Sequence, residues 1–180
     1  MNWYSGKNLI KVLDAFEIDS PPITRSLRFP IQDVYRFEEK RILVGRIETG
    51  TLRVEGTLLF SPTNETATVE SIEVWPEDDS RVSAHAGESI GITLDQRIFV
   101  ERGHIASHEN EPPMLSNVFR ANIFWLSKKP LKVGNSYKIR MATFETKVTV
   151  QSIEKTVDTD DLKQYNDPKE TPRNSVAEIT

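Results

Sequence analysis

The stretch RILVGRIETGTLRVEGTLLF, residues 41–60, constrains the fold more than any other part of this sequence. Apolar residues come first, Gly50 and Gly56 interrupt the pattern, and apolar residues then return. Glycine lets the backbone reverse tightly because it has no Cβ. The pattern therefore predicts short strands joined by tight turns, in an all-β chain.

Apolar and polar residues alternate with the period of a strand from residue 23 to residue 107. Strand patterns occur in SLRFPIQDVYRF, RILVGRIE, GTLLF, TATVESIEVW, ESIGITL and IFVERGHIAS. In the first of these, Leu27, Phe29 and Ile31 take one face. About six short strands with turn signals between them are typical of a small barrel.

A short helix is predicted before the strands. SGKNLIKVLDAF has helical spacing, and Ser5 is placed to cap it. Pro21 and Pro22 stop the helix, because proline lacks the N–H group and clashes with the preceding turn. The apolar residues that define the helical face are Leu9, Ile10, Leu13 and Phe16.

The polar segment SHENEPP, residues 107–113, marks the boundary between two blocks. In the second block, NVFRANIFWL and SYKIRMATFETKVTVQSI supply about three strands, too few to close a barrel. The segment 155–173 is polar, and we expect a long loop there. The predicted domains are a helical linker at 1–22, a first barrel at 23–110 and a partial second barrel at 111–180.

Composition excludes several classes of site. The chain has 180 residues, a net charge of -4 and no cysteine. Disulfides, thiolate metal sites and cysteine nucleophiles are therefore absent. The negative charge argues against a general binder of the nucleic-acid backbone, which needs a basic face. No apolar run approaches the roughly 18 residues of a membrane-spanning helix.

Catalytic motifs are also missing from the sequence. It contains no G-x-x-x-x-G-K-S/T, no G-x-G-x-x-G and no G-x-S-x-G. His104 and His108 stand four apart in a strand-then-loop pattern, so we interpret both as surface loop residues rather than a metal site. Trp75 and Trp125 lie in strand patterns and are expected in the core. We predict no catalytic, cofactor-binding or metal-binding residue, and the residues alone indicate a binding or coupling module.

Three segments, in order, resemble the second domain of translation-type GTPases, the barrel that follows the G domain in elongation factor Tu. They are LVGRIETGTLRVEGTLLF, AHAGESIGITL and VERGHIAS. MNWYSGKNLIKVLDAF resembles the segment that leads out of the G domain, except that Asn8 stands where the family usually has proline. The resemblance implies an elongation factor Tu-like domain II β-barrel followed by a partial domain III β-barrel.

The rest of the chain indicates a branch of this superfamily. FEEKRI, residues 37–42, stands where elongation factor Tu has a Gly-Arg-Gly turn in the part that holds the aminoacylated end of tRNA, so nucleic acid is not an expected partner. Residues 116–164 instead resemble the third domain of the large subunit of bacterial sulfate adenylyltransferase, through ANIFWL, PLKVGNSYK and VDTDDL. RNSVAEIT resembles a further strand of that domain.

This second resemblance implies a fragment of a cytoplasmic, GTP-dependent nucleotidyltransferase subunit in sulfate assimilation. The parent enzyme would convert ATP and sulfate to adenylyl sulfate and diphosphate, and some members carry a fused adenylylsulfate kinase. The fragment itself would be non-catalytic. GTP and Mg would bind a G domain outside this chain. The partners would be that G domain and the small subunit that performs adenylyl transfer, with no membrane involved.

Exposed charges near the first hairpin are the candidate partner interface, namely Arg36, Arg46, Glu48 and Arg53. Two alternatives stay open. A translation-factor-like module would bind tRNA in a salt-sensitive way. A stand-alone β-barrel interaction module would be a stable monomer with a reading frame that ends near residue 180.

Overall fold

The structure is a computed structural model that describes residues 6–16, 21–37, 40–76 and 81–180. Within these ranges the chain is built almost entirely from strands, with one short helix, α1, at Leu9–Leu13. The Asn8 side chain caps α1 by accepting a 2.9 Å hydrogen bond from the backbone N–H of Lys11. The predicted helix is confirmed in a shorter form that buries no residue, and Ser5 lies outside the described residues. None of the described helices is long and apolar enough to cross a membrane.

The first half of the chain forms a closed barrel. Its strands follow the order β1-β2-β7-β5-β4-β8, and β3 pairs with β6 in a separate two-stranded sheet. This confirms the all-β class and the barrel that the alternation predicts. The strands are β1 (Phe29–Phe37), β2 (Lys40–Arg46), β3 (Thr51–Arg53), β4 (Thr57–Ser61), β5 (Glu65–Glu73), β6 (Ser83–His85), β7 (Ser89–Leu94) and β8 (Ile105–His108).

The barrel interior is filled by the inward side chains of alternate strand positions. Leu27, Phe29 and Ile31 are all fully buried, as the alternation in the first strand pattern predicts. The segment 98–104, the first part of the predicted strand IFVERGHIAS, is not a strand, and β8 begins only at Ile105. Arg41 holds this segment across the end of the barrel by donating hydrogen bonds to backbone carbonyls within it.

The second half of the chain forms several small sheets around a smaller core. The order in its largest sheet is β14-β13-β16-β9, while β10 pairs with β15 and β11 pairs with β12. Leu131, Val150, Ile153 and Ala177 form the buried cluster. The strands are β9 (Ala121–Trp125), β10 (Leu131–Lys132), β11 (Ser136–Met141), β12 (Phe144–Thr149), β13 (Ile153–Asp158), β14 (Gln164–Asn166), β15 (Glu170–Thr171) and β16 (Ser175–Ile179).

The predicted long loop at 155–173 is wrong for much of its length, because it contains most of β13 and all of β14 and β15. All three residues of β14 are exposed, so this strand has no apolar alternation to reveal it. Thr156 and Thr171 are buried and share a 2.7 Å hydrogen bond between their hydroxyl groups. Buried polar side chains therefore form hydrogen bonds with each other in this part of the chain, although its polar sequence indicates a loop.

Candidate partner-binding groove

A groove of about 700 Å³ runs over the outer face of the first barrel. It lies on β1, β2, β5 and β7, which are neighbours in the barrel. Tyr35 pairs with Ile42 across β1 and β2, and Val44 pairs with Gly91 across β2 and β7. The buried Leu43 and Ile92 alternate with these positions and face the interior. The same strands thus build the core on one face and the groove on the other.

Three exposed aromatic side chains line this groove. Tyr35 and Phe37 lie with their ring centroids 6.3 Å apart and their planes tilted by 42°. Trp75 is 89% exposed, so the prediction that it belongs to the core is wrong. Large aromatic side chains left open to solvent in one concave patch are typical of an interaction surface.

A β-bulge in β1 directs two of these aromatic residues, Tyr35 and Phe37, outward. The pairing of β1 with β2 shifts register between Ile31 and Asp33. A bulge adds one residue to one strand and so changes which side chains face the core. Before the shift Ile31 is buried; after it Val34 packs against the core and Tyr35 is exposed. Uninterrupted alternation would place Tyr35 on the same face as Ile31, which is why sequence reasoning missed this groove.

Polar groups at the edge of the groove are held in place by hydrogen bonds. Ser71 donates to the Glu73 carboxylate at 2.6 Å. The Arg102 guanidinium donates to the backbone carbonyl of Gln32 at 2.9 Å. A fixed carboxylate and a fixed guanidinium can orient a partner that brings matching charges.

Gly91 forms part of the groove floor because no side chain fits there. A Cβ on Gly91 would lie 2.6 Å from Cγ2 of Ile42 and 3.3 Å from Cβ of Glu73. The missing side chain lets those two residues, from strands on either side of β7, approach each other over the sheet.

The four predicted interface residues are all exposed, but they do not share one surface patch. Arg36 pairs with Arg41 at one end of the β1–β2 hairpin. Arg46 lies five positions after Arg41 along β2, which separates these two residues by about 17 Å at the rise of an extended strand. Glu48 follows β2 and Arg53 lies in β3. None of the four lines the groove, although Arg36 adjoins Phe37.

The two histidines do not share an environment. His104 is buried and stacks edge-on against Phe99, with ring centroids 6.1 Å apart, so its interpretation as a surface residue is wrong. His108 is half-buried in β8. Among the described residues no three histidine or carboxylate side chains are grouped to hold a metal ion.

The chain is similar to known proteins over both halves. Residues 118–180 match the family described as GTP-eEF1A C-terminal domain-like. Sulfate adenylyltransferase subunit 1 of Salmonella arizonae is 29% identical over 177 residues, which is 98% of this chain and 36% of that protein. The Teredinibacter turnerae protein of the same name is 33% identical over 87% of this chain and 33% of its own length. Elongation factor 1-alpha of Thermoplasma acidophilum is 31% identical over 89% of this chain and 38% of its own length.

Solved structures show the same fold. Sup35 in complex with GMPPNP superimposes with a TM-score of 0.76 and 21% identity, over 99% of this chain and 44% of that one. Elongation factor SelB of Methanococcus maripaludis gives a TM-score of 0.62 and 16% identity, over 95% of this chain and 37% of that one. The chain thus spans about a third of the length of the curated relatives it matches. It has the elongation factor Tu-like domain II and domain III fold, and it is a homologue of part of sulfate adenylyltransferase subunit 1.

Proposed function

We propose that this chain is the barrel pair of a GTP-dependent sulfate adenylyltransferase subunit, and that its groove binds a partner protein of that enzyme. The observation that carries the proposal is the similarity to sulfate adenylyltransferase subunit 1 over 98% of the chain. The name "subunit 1" supports an enzyme of more than one subunit, and we assign the small subunit as the occupant of the groove. This assignment moves the interface from the four scattered charges to the aromatic groove.

The exposed aromatic side chains support the groove as the docking site. A few buried aromatic side chains usually carry most of the binding energy of a protein interface, and their removal costs about 2 kcal/mol or more each. Trp75 and Phe37 are open to solvent and stand beside fixed polar groups. Because most of the groove lies on barrel strands, a shift of the barrel would move the bound partner as a rigid body. This would couple the nucleotide state of a G domain to the partner.

GTP and Mg would bind outside the residues described here. The described residues bring no three metal-ligating side chains together, and the sequence has no glycine-rich phosphate loop. The described residues thus do not fit a Mg–nucleotide site. In this proposal they bind and orient a partner, and the conversion of ATP and sulfate to adenylyl sulfate and diphosphate takes place on that partner.

A second function is favoured by one observation, the 31% identity to elongation factor 1-alpha. In this reading the same groove would bind the end of a tRNA, with bases stacked on the aromatic rings and phosphates near Lys40 and Arg102. The net charge of -4 opposes it. The stand-alone interaction module remains the third alternative.

Isothermal titration calorimetry of the purified protein with purified sulfate adenylyltransferase small subunit tests the proposal. The double substitution Phe37→Ala/Trp75→Ala should weaken binding at least about tenfold, since it removes the aromatic anchors. The matched control, Phe124→Ala/Leu162→Ala, removes two exposed apolar side chains from the second half of the chain and should leave binding unchanged.

The alternatives give different results in the same experiment. Salt-sensitive tRNA binding that the groove variant abolishes, with no binding of the small subunit, would establish the translation-factor-like module instead. Absence of binding to either ligand would reject both the coupling function and the RNA-binding function. Equal losses in the groove variant and its control would reject the groove as the docking site.

A further inference from the structure

Cationic side chains line a second cavity at one end of the first barrel, next to the point where Phe37 of the groove pairs with Lys40. This cavity of about 140 Å³ lies between the start of β2, the end of β7 and the middle of β5. Leu43, which is buried, lies at its apolar base. Its polar lining is formed by Lys40, Arg41, Glu70, Thr93, Gln96 and Arg97.

Arg41 is the fixed cation of this barrel end. Its guanidinium donates to the backbone carbonyl of Ile98, and to that of Val100 at 2.6 Å. Its Nε is buried and has no acceptor in the described part of the chain. Burial, and then the charge of Arg36, lower the pKa of this guanidinium. The two hydrogen bonds fix the positive charge of Arg41 beside the cavity, where it would attract an anion.

The other cations near the cavity, Arg36, Lys40 and Arg97, form no ion pair within the described part of the chain. Glu70 is the one carboxylate among the described lining residues, and it accepts a 3.3 Å hydrogen bond from the Thr93 hydroxyl. Like charges gathered without counter-charge repel each other, most strongly where burial lowers the dielectric. The described lining of the cavity thus carries three cations and one carboxylate, in a chain whose net charge is -4.

We propose that this cavity binds a small tetrahedral oxyanion, either free phosphate or sulfate or the phosphate group of a monoester. Its 140 Å³ is about five times the roughly 30 Å³ that one water occupies in the liquid, which admits a four-oxygen anion but does not enclose a nucleotide. Lys40, at the start of β2, and Arg97, after β7, supply charge-assisted donors, and the Arg41 guanidinium adds a third positive charge. The proposal does not depend on the coupling function.

Calorimetric titration of the purified protein with inorganic phosphate, sulfate and AMP, against chloride at matched ionic strength, tests this site. The double substitution Lys40→Gln/Arg97→Gln should weaken phosphate binding at least about tenfold, because two charge-assisted hydrogen bonds are lost. Both side chains are exposed, so the barrel should remain folded, which circular dichroism can verify. Arg41 is left intact because it also ties residues 98–100 to the barrel.

The control is Lys128→Gln/Arg173→Gln, which removes the same charge from exposed positions in the second half of the chain. It should bind phosphate as the unmodified protein does. Tighter binding of inorganic anions than of AMP would identify a free-anion site, and the reverse order would identify a site for a phosphate ester; either supports the proposal. Equal heats for phosphate and chloride would overturn it, as would equal losses in the control and the site variant.

Discussion

At the scale of single residues, close backbone contacts decide how the first barrel closes. Gly45 in β2 lies against β1 where a Cβ would come 2.2 Å from the backbone oxygen of Pro30 and 3.0 Å from the ring of Phe29. Backbone atoms inside a closed barrel have no room to retreat. At Gly91 the obstacle is instead the side chain of Ile42, which borders the open groove and can change its rotamer.

This difference predicts unequal effects of one added methyl group. Gly45→Ala should lower the free energy of unfolding by about 3 kcal/mol, the upper end of the usual cost of overpacking. Gly91→Ala should cost about 1 kcal/mol, because a side chain can yield where a backbone cannot. Urea unfolding of the two variants measures both values. A larger loss for Gly91→Ala than for Gly45→Ala would contradict this account of the barrel.

At the scale of elements, the β11–β12 hairpin depends on its own cross-strand contacts, since within the described chain each of its strands pairs only with the other. Arg140 lies directly opposite Glu145, and both Arg140 and Lys138 form ion pairs with that carboxylate. Hydrogen bonds from Lys138, and then from Arg140, lower the pKa of Glu145 below its usual 4.5.

The lowered pKa predicts a pH-dependent contribution to hairpin stability. A carboxylate whose pKa is lower in the folded state stabilises above its unfolded pKa, and the effect is lost as pH falls through the folded pKa. Glu145→Gln should therefore destabilise the protein at pH 7 and should have no effect once pH lies below the folded pKa. Urea unfolding at both pH values measures this, with Glu109→Gln as the control, since the exposed Glu109 has no ion pair among the described residues. A pH-independent effect of Glu145→Gln would count against the ion pairs.

At the scale of the whole molecule, the two halves differ in how much apolar surface they bury. Among the described residues, the first barrel has 17 buried apolar residues in one cluster, while the cluster of the second half has four. Because burial of apolar side chains is the main stabilising term in folding, the second half should open at lower free energy than the first. Arg28 holds the connection between them, with its guanidinium donating to the carbonyl of Glu111 at 2.9 Å.

Hydrogen exchange should therefore separate the two halves. Amides of β2, β5 and β7 should exchange far more slowly than those of β9, β13 and β16, because the larger core must unfold before they open. Mass spectrometry of exchanged peptides measures this directly. A single exchange rate for protected amides in both halves would show that the two cores unfold together, contrary to the prediction.

The class of fold and much of the first barrel follow from the order of the amino acids. Alternating residues such as Phe29 and Ile31, and turn glycines such as Gly50, act through local geometry, which a linear pattern records. The same holds for the β11–β12 hairpin, where strand patterns flank a short turn. Domain resemblance added the order of the two barrels, which the comparisons confirm.

The surfaces that these strands present depend instead on three-dimensional packing. The bulge after Ile31 exposes Tyr35, although simple alternation directs it inward, and packing buries His104 while it leaves Trp75 open. Lys40 and Arg97 line one cavity, although they lie far apart in sequence. The physical reason is the same in each case: the environment of a side chain is set by the strands that pair beside it, and those partners are distant in sequence.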